Sequence, residues 1–143
     1  MRQKLAIGLV LLAFSGLAHA QSEAKRAQVS DEYLGVWAGT WGMSADATDG
    51  GPFEMTIEKD KDGAPAGKVN VSGGESAHTA VFKSLSFEGG KMTGSYIYPL
   101  GDGGEVVLEA TLDKGAGTGT WLLHPEGQPA EIVARGYWKV TKK

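Results

Sequence analysis

The chain has no cysteine, which excludes disulfides, thiolate metal sites and the lipid-modified cysteine that anchors bacterial lipoproteins. Histidine is scarce, three in 143 residues. His19 falls in the N-terminal apolar region, and neither His78 nor His124 stands beside a second metal ligand at a recognised spacing. No metal site is expected, and both read as solvated loop histidines. Positive charge is also short, with 14 Lys and Arg against 17 Asp and Glu. That balance argues against nucleic acid and anionic lipid surfaces as partners.

Apolar runs are equally limited. The one candidate is Leu5 to Phe14, too short to span a bilayer. Arg2 and Lys4 precede it and Ala18-His19-Ala20 follows in a small-x-small pattern. This arrangement predicts a secretory signal peptide over 1–20, cut after Ala20, with no membrane anchor and a periplasmic or secreted product. Residues 21–33 read as a polar lead-in, with Ser30 able to cap one short helical turn at Asp31-Glu32-Tyr33. Residues 34–143 then form one domain of ordinary size.

Beyond Leu34 the pattern is period two, broken by turn chemistry at Asp62-Gly63 and Gly89-Gly90. Trp37, Gly39, Trp41 and Met43 share one strand face, and Phe53, Met55 and Ile57 a second. Val69 and Val71 follow on a third strand, and a fourth is expected over 80–88 with Leu85 and Phe87 inward. Met92, Gly94, Tyr96 and Tyr98 share the next face, then Val106, Leu108, Ala110 and Leu112, then Gly117, Gly119, Trp121 and Leu123. The last strand puts Ile132, Ala134, Gly136, Trp138 and Val140 on one side. Such a meander with one apolar face, and no helical pattern between strands, predicts an all-β, eight-stranded antiparallel up-and-down barrel, since closure removes both aggregation-prone edges. Glycine is abundant at 22 residues, and it recurs two residues before an inward aromatic at Gly39, Gly94, Gly119 and Gly136. A coiled strand uses glycine to bend and a neighbouring aromatic to cover the gap.

No catalytic constellation emerges. Glu75, Ser76 and His78 share a loop without a third partner or an oxyanion site. Asp60-Lys61-Asp62-Gly63 lacks the later ligands of a calcium loop and reads as a hairpin turn. An enzyme, a catalytic residue and a cofactor are therefore not expected.

Gly35-Val36-Trp37, after the possible helical turn, resembles the calycin superfamily of lipocalins, fatty-acid-binding proteins and avidins. The doubled GxW and GTW motifs are also similar to those of small exported bacterial proteins. The resemblance implies that Gly35 and Trp37 close the barrel floor and that Arg135 packs across the tryptophan. Arg135-Gly136-Tyr137 looks like the Arg-x-Tyr with which fatty-acid-binding proteins hold a ligand carboxylate. The strand's own alternation, however, turns Arg135 and Tyr137 outward unless a bulge at Gly136 shifts the register.

Two functions are compatible with these features. One is a binding barrel that takes a small apolar or amphipathic ligand against Trp41, Tyr96, Tyr98, Trp121 and Trp138, with Arg135 as a polar contact. The other is a filled, non-catalytic barrel whose loops engage another envelope protein as an interaction or inhibitor module. A cavity discriminates between them.

Overall fold

The computed structural model describes residues 28–143. The expected signal peptide and most of the lead-in therefore lie outside the described residues. Nine strands form one antiparallel sheet: β1 (Gly35–Gly42), β2 (Gly51–Lys59), β3 (Pro65–Val71), β4 (His78–Val81), β5 (Ser84–Glu88), β6 (Lys91–Ile97), β7 (Glu105–Asp113), β8 (Ala116–His124) and β9 (Ala134–Lys142). Their order is β4-β3-β2-β1-β9-β8-β7-β6-β5, an up-and-down meander in which β9 pairs with β1. The sheet curls into a half-barrel with its apolar face inside. Among the described residues no helix is long and apolar enough to cross a membrane.

Local sequence explains the connections. Gly89-Gly90 links β5 to β6 with both residues at positive φ, and Lys114-Gly115 does the same between β7 and β8. Two positive-φ residues are what a two-residue hairpin of matching twist requires. In the β2–β3 turn, Asp60 Oδ1 accepts from the amides of Asp62 (2.8 Å) and Ala64 (3.0 Å), while Gly63 takes φ +81°.

The strand expected over 80–88 is instead β4 and β5. Inward positions run His78, Ala80, Phe82 and then Leu85, Phe87, so the alternation slips by one residue at Lys83-Ser84. The cause is a change of partner. β4 pairs with β3, β5 pairs with β6, and the two residues between them bond to both sides. Phe82 donates its amide to Gly67 O (2.9 Å) and Lys83 to Ser95 O (2.8 Å). Gly94 makes the bend possible, because a Cβ there would sit 2.9 Å from the Phe82 ring.

The core fills one end of the curl. Trp37, Met55, Ile57, Val69, Met92, Leu108 and Trp138 are each no more than 2% exposed. A 3-10 turn at Asp31–Tyr33 lies across this end, although Ser30 makes no side-chain cap bond. Tyr33 stacks on Phe87 with ring centroids 4.6 Å apart, and Val29, expected to be part of a loose lead-in, is buried. Met43 and Ile132, both expected inward, are exposed because β1 ends at Gly42 and β9 begins only at Ala134.

The recurrent Gly-x-aromatic motif has a geometric explanation. β8 and β9 run antiparallel with Gly119 opposite Trp138 and Trp121 opposite Gly136. Each indole therefore lies over the other strand's glycine. A Cβ on Gly136 would be 2.6 Å from the Trp121 ring, and one on Gly119 would be 2.8 Å from the Trp138 ring. The aromatic covers backbone that glycine exposes, and the absence of a side chain gives the ring its place.

Candidate functional site

Away from the 3-10 turn the interior is not filled. A cavity of about 390 Å³, open to solvent at one side, is bounded by Trp41, Phe53, His78, Tyr96, Tyr98, Val106, Leu108, Trp121, Leu123 and Trp138, with Met43, Asp49, Ser76 and Ala134 toward its mouth. Alternation supplies the wall: inward positions at the ends of β1, β6, β8 and β9 all point into this space. Hollows on the outer wall around Gly119 reach about 430 and 520 Å³, but they are open troughs over exposed threonines and lysines.

The structure brings Trp41, Tyr96, Tyr98, Trp121 and Trp138 to this cavity. Trp41 and Trp121 meet edge to face at 6.0 Å. Every indole N–H is already bonded to a backbone carbonyl: Trp41 Nε1 to Ser72 O (2.8 Å), Trp121 Nε1 to Gly42 O (3.3 Å), Trp138 Nε1 to Thr120 O (2.9 Å) and Trp37 Nε1 to Tyr33 O (3.0 Å). The tryptophans thus offer aromatic surface and no free donor.

Arg135 is not part of this constellation. It lies opposite Leu122 with its side chain exposed, and Tyr137 is 40% exposed on the same outer face. No bulge occurs at Gly136, which pairs in register with Trp121. The carboxylate-holding role implied by the resemblance is therefore not supported by its position. Nor does Arg135 cover Trp37. That place belongs to Lys142, whose Nζ sits 6.0 Å from the Trp37 ring and donates to Glu32 O at 3.0 Å. The register explains it, since Trp37 faces Lys142 across the β1–β9 ladder. Gly35 lies beside this lysine, at φ +117° where side chains are strained. Arg135→Ala is expected to change stability by less than about 0.5 kcal/mol, as for other exposed positions, and a urea titration measures it.

His78 was not expected here. It begins β4 half-buried, and its Nδ1 lies 2.6 Å from Ser76 O while its Nε2 lies 2.8 Å from Tyr96 Oη. A carbonyl only accepts, so Nδ1 carries a proton; in the neutral ring Nε2 then accepts from the Tyr96 hydroxyl. Tyr98 meets the same imidazole edge to face at 5.1 Å. Tyr96 is 3% exposed, and burial, followed by the neighbouring Tyr98, pushes its phenol pKa far up. It stays a neutral donor. The sequence signal was faint: His78, Ala80 and Phe82 alternate, but the loop glycines before them hide the strand's start.

Among the described residues Asp49 is the one charged side chain of the wall. The Ser44 side chain and the amides of Ser44 and Met43 hold its carboxyl below the usual carboxylate range, with Oδ1 accepting from the Met43 amide at 2.8 Å. Among the described residues no group of histidine and acidic side chains could hold a metal ion. The arrangement offers an apolar, aromatic compartment with one histidine–tyrosine hydrogen-bonded pair at its wall. The curled antiparallel sheet is compatible with the calycin resemblance, while no protein-family model, curated protein or solved structure matches the chain significantly.

Proposed function

We propose that this is an exported protein whose sheet closes as an eight-stranded barrel, β4 and β5 acting as one bent strand, and that a small apolar or amphipathic molecule binds in its open end. The carrying observation is the cavity of about 390 Å³, within the roughly 300–1,000 Å³ typical of small-ligand sites. Its wall is mainly aromatic and aliphatic with few polar groups, the usual makeup of such a site. Closure is supported by the Phe82 and Lys83 amides, which reach β3 and β6 respectively. Export rests on the first twenty residues alone. The interaction-module reading needs a filled interior, so the cavity weighs against it.

Titration with an apolar fluorescent probe tests the proposal. One probe per chain is expected to bind and to change the emission of Trp41 and Trp121. Ala134→Phe, which places a ring at the mouth, is expected to weaken uptake at least about tenfold while the circular dichroism spectrum is retained, since filling a pocket removes the contact area that drives apolar binding. Wild-type protein that takes up no probe, and carries no added mass in native mass spectrometry, would overturn the reading.

A further inference from the structure

The chemistry of the cavity wall restricts the charge and the head group of what it can hold. Among the described residues neither lysine nor arginine lines it; Arg135 is turned outward and Lys142 is engaged at the far end over Trp37. The single charged neighbour among the described residues is the Asp49 carboxylate, exposed at the mouth, and Asp49 keeps its proton off more readily than an ordinary aspartate. An anion entering this space would lose water and gain no cationic partner among the described residues, both of which oppose binding. An ammonium would also be dehydrated, and its one acidic partner is solvent-exposed and therefore screened.

The polar inventory is narrow. The indole N–H groups of Trp41, Trp121 and Trp138 are committed to backbone carbonyls. With His78 Nδ1 directed to Ser76 O, the Tyr96 proton is directed to His78 Nε2. Deep in the cavity what remains is the lone-pair side of the Tyr96 oxygen and the hydroxyl of Tyr98, which makes no side-chain hydrogen bond among the described residues; the Ser76 hydroxyl and the Asp49 carboxylate stand toward the mouth. One acceptor beside one hydroxyl complements a group that both donates and accepts.

Resting on the ligand-binding reading, we infer that the cavity takes an uncharged amphiphile bearing one hydroxyl-type group, anchored at Tyr96 and Tyr98, and rejects the corresponding carboxylate. Its size follows from the space: at about 30 Å³ per water-sized group, a cavity of about 390 Å³ holds roughly thirteen such groups. A two-ring molecule with a short polar arm is of that size.

A matched series on one naphthyl body tests this at pH 8: naphthylethanol, naphthylacetate, naphthylethylamine and ethylnaphthalene, each titrated into the full chain by calorimetry. The alcohol is expected to bind at least tenfold more tightly than the acetate and more tightly than the amine. Tyr98→Phe is expected to weaken the alcohol about three- to tenfold, the worth of one hydrogen bond, and to leave ethylnaphthalene unchanged. Equal or tighter binding of the acetate or the amine would overturn the charge selection. Unchanged alcohol affinity in Tyr98→Phe would overturn the anchor. In both cases ethylnaphthalene binding would leave the ligand-binding reading standing, whereas failure of all four compounds would remove that reading together with the inference.

Discussion

Gly136→Val is expected to lower stability by about 3 to 5 kcal/mol, at the upper end of overpacking effects. The position has no room on either side. A Cβ there would collide with Gly42 O and lie 2.6 Å from both Cε2 and Nε1 of the Trp121 indole. To admit it, the Trp121 ring must leave its place, breaking the bond to Gly42 O and the edge-to-face contact with Trp41. Gly136→Ala already introduces the offending atom, so it is expected to be damaging too, with valine worse by its branching. Domains of this size are stable by only about 5–15 kcal/mol, so valine is expected to bring the melting temperature down by about 12 °C or more. Thermal denaturation followed by near-ultraviolet circular dichroism measures both effects. A fully folded valine variant with an unchanged Trp121 signal would show that the glycine is incidental.

Trp37→Ala is expected to cost about 3–5 kcal/mol, as for other large aromatic truncations in a core. Trp37 is 1% exposed and in the main core cluster, and it organises the closed end from both directions. Its N–H holds the 3-10 turn through Tyr33 O, and its face receives Lys142, which in turn holds Glu32 O. Alanine would leave a void, free the turn and release the lysine together. The ion pair between Lys59 and Asp31 (2.8 Å) is surface-exposed and offsets little of this. Urea denaturation measures the loss. Lys142→Met, which keeps the apolar stem and removes the charge with its bond to Glu32 O, is the informative comparison and is expected to cost no more than about 1 kcal/mol.

The sheet was largely legible because period-two alternation is a direct record of which side of a strand is buried. Trp37, Met55, Ile57, Met92, Leu108 and Trp138 could be assigned to the interior on that basis, and they are there. What was hidden is where alternation changes phase. Between Phe82 and Leu85 the strand exchanges one partner for another, and a one-residue slip leaves no mark in a run of apolar and polar residues. For the same reason Ala80 looked like a strand start and His78 like a loop residue. The cation on Trp37 was misassigned for a different reason. Both Arg135 and Lys142 stand in the C-terminal part of the chain, and only the register of β9 on β1 tells which reaches the ring. Ile132 fits the alternation of β9 but falls in the segment before it, where Val133 bonds back to Leu123 O. Sequence periodicity records a face; it does not record where pairing begins.

The position of β9 between β1 and β8 has a consequence for the order of assembly. The β5–β6 and β7–β8 hairpins close over two residues, and the other neighbouring pairs apart from β1–β9 over five to nine. The β1–β9 ladder joins segments about 100 residues apart in the chain. Loop-closure entropy rises with the logarithm of the intervening length, and sheets dominated by distant pairings fold slowly for this reason. Loop closure therefore favours the two meanders pairing first as separate half-sheets, with β9 the strand that unites them. Until it docks, Trp41 and Trp138 do not meet, and the cavity has no continuous wall.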